Sequence, residues 1–62
     1  MMTFEEAVAY LTRDGDTLLE ALELIQDELY EAESLGEEPM FLSPKEIMAY
    51  RLVVAKMRPL FA

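Results

Sequence analysis

The chain has 62 residues, 53% of them hydrophobic, with 13 acidic side chains against 5 basic ones, a net charge of −8, and neither His nor Cys. Disulfides and Cys/His metal sites are therefore excluded as staples, and a core this small needs dense helix packing or a second copy of the chain to hold it. The acidity disfavours direct binding to nucleic acid or to anionic membranes, both of which need a basic stripe, while the hydrophobic content is too high for a disordered acidic tail.

MMTFEEAVAY lacks the basic segment and apolar run of a signal peptide, and no stretch reaches the length of a membrane span. The expected setting is the cytoplasm, without membrane contact. Thr3-Phe4-Glu5-Glu6, Thr17-Leu18-Leu19-Glu20 and Ser43-Pro44-Lys45-Glu46 each fit the S/T-x-x-E capping box ahead of an apolar-periodic run. One match is common by chance; several in series predict a chain of helices. The first helix spans about residues 4–12, with Phe4, Ala7, Val8 and Leu11 on one face. So short a helix is marginal alone and must dock. Arg13-Asp14-Gly15-Asp16 breaks it, Gly15 being free to turn left-handed.

The second helix, residues 17–35, has the 4-3-4-3 seam Leu18, Leu22, Ile25, Leu29 and Ala32, with Leu19, Ala21 and Tyr30 expected to widen the buried arc. Glu20, Glu23, Asp27, Glu28 and Glu31 lie opposite, with Leu24 among them. Acids three or four apart repel one another, which suggests nearby bases from the third helix or from a partner. Gly36 closes this helix. The short link to Leu42 predicts antiparallel neighbours, with Met40 and Phe41 expected to cap the open end of the hairpin.

The third helix, residues 44–58, starts on Pro44 at a position where a missing N–H costs nothing, and Leu42 and Ile47 occupy the two places of a hydrophobic staple. It carries two apolar stripes. One is Ile47, Tyr50, Val54, Met57 and Phe61, with Val53 and Leu60 beside it; the other is Met48, Leu52 and Ala55. A helix apolar on two sides is normally buried on two sides, so helix 1 or a second protomer should cover the second stripe. Arg51, Lys56 and Arg58 make this helix basic against the acid of helix 2. Pro59 is expected to end or kink it, leaving Leu60-Phe61-Ala62 as an apolar tail.

Sites for chemistry are scarce. Asp14-Gly15-Asp16 resembles the start of a calcium loop, but Ile25 stands where its bidentate Glu belongs, so a turn and cap is the better account. The outward Glu20/Glu23/Asp27/Glu31 ladder lacks the inward Glu-x-x-His of carboxylate metal bundles and reads as a solvated face. The two serines sit at helix ends and the two glycines lie far apart, giving neither a nucleophile constellation nor a phosphate loop. No catalytic, cofactor or metal site is expected, and no enzymatic activity.

The expected fold is all-α: a short N-terminal helix plus an antiparallel helical hairpin, dimerising into a helical bundle. The expected function is a non-enzymatic protein-interaction module, acting as regulator, adaptor or inhibitor through Met40, Phe41, Met48, Leu52 and Ala55. The rival is an acidic nucleic-acid mimic or antidote that occupies a basic protein surface through Glu20, Glu23, Asp27, Glu28 and Glu31. Small size, acidity and the lack of catalytic groups are also compatible with phage or mobile-element proteins, an association of type alone.

Overall fold

A computed structural model describes residues 1–61, and their side chains through Arg58. It contains the helices α1 (Phe4–Leu11), α2 (Leu18–Leu35) and α3 (Pro44–Phe61), and no strand among the described residues. No described helix is long and apolar enough to cross a membrane.

Local chemistry fixes where each helix starts. At α1 the Glu6 N–H donates to Thr3 Oγ1 at 3.1 Å while the Thr3 N–H donates to Glu6 Oε1 at 3.1 Å. At α2 the Glu20 N–H donates to Thr17 Oγ1 at 3.2 Å, and Glu20 Oε1 accepts from both the N–H and the hydroxyl of Thr17. Both boxes are complete, and each satisfies donors that a helix start otherwise leaves orphaned. The third is half made: the Glu46 N–H donates to Ser43 Oγ at 3.2 Å, but the Glu46 carboxylate turns to Arg13 at 3.4 Å. A contact from another helix has taken the side chain that would have closed the box.

Gly36 ends α2 with φ 69°, ψ 26°, its own N–H reaching Glu33 O and the next N–H, of Glu37, reaching Ala32 O at 2.9 Å. This is the Schellman arrangement, and its left-handed residue is where glycine costs least. The third helix runs on through Pro59 to Phe61 rather than stopping there. Proline's fixed φ suits a helix, and its missing N–H forfeits a single bond, to the carbonyl four residues back. The expected places of the Leu60 and Phe61 side chains, and of Ala62, lie outside the described residues.

The core is Ala7 and Leu11 from α1, Ala21, Leu22 and Ile25 from α2, and Ala49 and Val53 from α3. The dominant helix pair differs from the expected hairpin: α3 packs most extensively on α1, and α2 touches each of the other two less. Ala7 and Ala49 are both fully buried, and small side chains at a crossing let two helix backbones approach closely. Alanine also shifts the buried face of α3. Its centre lies on Ala49 and Val53, with Tyr50, Val54 and Met57 only partly covered. The edge of the α1–α3 contact is polar. Arg13 pairs with Glu46, its guanidinium lies 4.2 Å from the centre of the Tyr10 ring, and the Lys45 Nζ lies 4.5 Å from the same centre. Partly exposed contacts of this kind each contribute on the order of 0.5–1 kcal/mol.

Candidate protein-interaction surfaces

The five residues expected to bind a partner fall on two surfaces. Met40 and Phe41 stand in the link between α2 and α3, and each is 81% exposed. They do not cap the hairpin; Leu42, the next residue, turns inward and packs against the core instead. On α3, Met48 is 57% exposed and Ala55 is exposed, while Leu52 is half-buried against the core. The second stripe is thus open at both ends and anchored at its middle. The α1 helix, only 8 residues long, covers the Ala49–Val53 side of α3 and leaves Met48 and Ala55 uncovered.

Other large apolar side chains also reach solvent. On α2, Leu24 and Leu35 lie along one flank, Leu19 and Tyr30 along the other, and all are exposed. Burial of Leu19 and Tyr30 does not occur, because α2 meets the rest of the fold along a narrow strip from Leu18 to Leu29. Leu24 and Leu35 join Phe41 around two shallow depressions of about 190 and 110 Å³, which share Glu28 and Phe41 in their walls. Volumes of that size accept a side chain, whereas small-molecule sites usually run to roughly 300–1,000 Å³. Sequence reasoning left Leu24 among the acids and gave Leu35 no role; their shared flank with Glu28 follows from 100° per residue and was the available signal.

Of the acidic set, Glu20, Glu23, Asp27 and Glu31 are exposed, and Glu28 is half-buried on the flank rather than on the outer face. The bases of α3 do not reach them: among the described residues the ion pair is Arg13–Glu46, joining α1's end to α3. The carboxyl of Glu20 is held below its ordinary value chiefly by the Thr17 hydroxyl, with the Thr17 N–H adding to it. The carboxyl of Glu6 is lowered too, first by the Thr3 N–H and then by its hydroxyl. Both shifts are capping effects and mark no site of chemistry. Among the described residues no group of three or more Asp or Glu is placed to hold a metal ion.

Comparison of the chain with protein-family models, curated proteins and solved structures finds no significant match in any of the three. The functional reading therefore rests on the surfaces themselves.

Proposed function

We propose that this chain is a non-enzymatic protein-interaction module, a cytoplasmic regulator, adaptor or inhibitor that engages its partner through the open stripe of α3 and the Met40–Phe41 link. The observation that carries the reading is the exposure of Met40, Phe41 and Met48 in a chain whose core is otherwise small. Burying one such side chain against a partner is worth about 1.5–3 kcal/mol, so two or three anchors supply a large part of a binding energy.

The test is recovery of bound protein by the tagged chain and by its Phe41→Asp and Met48→Asp variants. Both variants should keep their helical circular dichroism and lose the bound protein by at least about tenfold. Undiminished recovery by folded variants would reject the reading.

One observation favours the acidic alternative: Glu20, Glu23, Asp27 and Glu31 are exposed, with the ion pair of the described residues lying elsewhere. A mimic of this kind would release its partner steeply with added salt and with Asp27→Lys or Glu31→Lys, while tolerating Met48→Asp.

A further inference from the structure

We infer that the depression between the last turns of α2 and the Met40–Phe41 link receives an arginine or lysine side chain from a basic segment of a partner protein. The inference rests on the preceding reading of that link as a binding face, and goes further by stating the chemistry of what binds there.

The depression is built locally. Gly36 turns the chain back in its Schellman arrangement, and the link from Glu37 to Phe41 then forms one wall against the last turns of α2. Its apolar lining is led by Leu35, Met40 and Phe41, all of them exposed. A volume of about 110 Å³ suits the stem of one long side chain, and is too small for a helix.

Charge decides which side chain fits. Glu28, Glu31, Glu37 and Glu38 also line the depression, and none of the described residues lining it is basic. A wholly apolar occupant would strip water from these carboxylates without pairing them, and an acidic one would add to their repulsion. A long cationic side chain meets both demands. Its methylene stem covers Leu35 and Phe41, and its charged head stays at the rim among the carboxylates. The net charge of −8 favours the approach of a basic segment from a distance.

The same chemistry is already used once within the chain. The Arg13 guanidinium lies 4.2 Å from the centre of the Tyr10 ring and 3.4 Å from the Glu46 carboxylate, so ring, cation and acid come together. The depression supplies the ring of Phe41 and the acids, and lacks the cation. Arg13 and Lys45 are held at Tyr10, while Arg51, Lys56 and Arg58 stand on α3 and do not line the depression. The matching cation therefore comes from another molecule.

The decisive measurement is an NMR titration of the isotope-labelled full chain with a short, otherwise neutral peptide carrying one central Arg, and with its Lys, Gln and Glu analogues. The Arg and Lys peptides should shift the amides of Leu35, Gly36 and Phe41 saturably, and the Gln and Glu peptides should bind at least about tenfold more weakly. Phe41→Ala, which leaves the net charge unchanged, should weaken the Arg peptide at least about fivefold, as should Glu31→Gln with Glu37→Gln. Glu5→Gln with Glu23→Gln makes the same change in net charge away from the depression and should cost less than about twofold. All variants should keep their helical circular dichroism. The inference is overturned by the absence of a saturable shift, by binding indifferent to Phe41→Ala, or by equal losses from the two Glu pairs. Protein capture that fails with Met48→Asp and Phe41→Asp but ignores Glu31→Gln with Glu37→Gln overturns it too, and leaves the broader reading standing.

Discussion

The two halves of α2 are one helix with two fates. From Leu18 to Ile25 it buries Ala21, Leu22 and Ile25 in the core; from Gln26 to Leu35 no residue is buried, and only Glu28, Leu29 and Ala32 are partly covered. The apolar seam runs through both halves without a break, so the difference is not one of composition. It comes from what stands opposite. The α1–α3 pair covers the first half and reaches only as far as Leu29 in the second, whose last turns extend past the core as an amphipathic rod. A periodic seam therefore shows which face of a helix seeks cover, and says nothing about how far along the helix the cover extends.

Several changes would break or sharpen that contrast. The largest effect is expected at Ile25→Ala, a core truncation of about 2–4 kcal/mol, against Leu35→Ala, where the loss should stay within about 0.5 kcal/mol; urea denaturation of the two variants measures both. If Leu35→Ala proved as costly as Ile25→Ala, the overhang would not exist. Next, Thr17→Ala should cost about 1 kcal/mol by removing the cap of the anchored half. Gly36→Ala, at the overhanging end, should cost a similar amount: a Cβ there meets nothing within 4 Å, and only the left-handed backbone, about 1–2 kcal/mol, opposes it. Hydrogen exchange would show where that cost is felt, with amides after Gln26 opening well before those of Leu22 and Ile25.

Two electrostatic effects are smaller. The last turn of α2 has no basic residue, so Glu33→Lys should stabilise the chain by a few tenths of a kcal/mol through the helix dipole, read as a small rise in melting temperature. The depressed Glu20 carboxyl gives stability that is present above the ordinary Glu value and fades as pH falls through its lowered folded value. Carboxyl NMR titration should find its midpoint below the ordinary one in the wild type and raised toward it by Thr17→Ala, which removes the hydroxyl and keeps the backbone N–H.

Much of the fold could be read from the residues. The capping residues Thr3, Thr17 and Ser43 and the terminator Gly36 act over one turn, so their meaning is local and complete in the sequence. Pairing between helices is not local. Ala49 gives a weak apolar signal, and nothing in its neighbourhood marks it as fully buried; the bulkier Tyr50 and Val54 pack against the core but are only partly covered. Glu46 was legible as a cap partner, but its capture by Arg13 depends on a residue far away in the chain. As for the site, the stripe of Met48, Leu52 and Ala55 was visible from spacing alone. The flank of Leu24 and Leu35 was not, because both stand among acids and read as strays until the length of the cover is known.

The link between Arg13 and Glu46 spans 33 positions of the chain. Closing a flexible loop of that length costs about 3 kcal/mol in entropy before any contact is returned. During synthesis α1 emerges first and meets α2 next, but its most extensive docking surface exists only once Ala49 and Val53 have been made. The contact that completes the core is thus the last to become available, and folding is expected to finish in one late step.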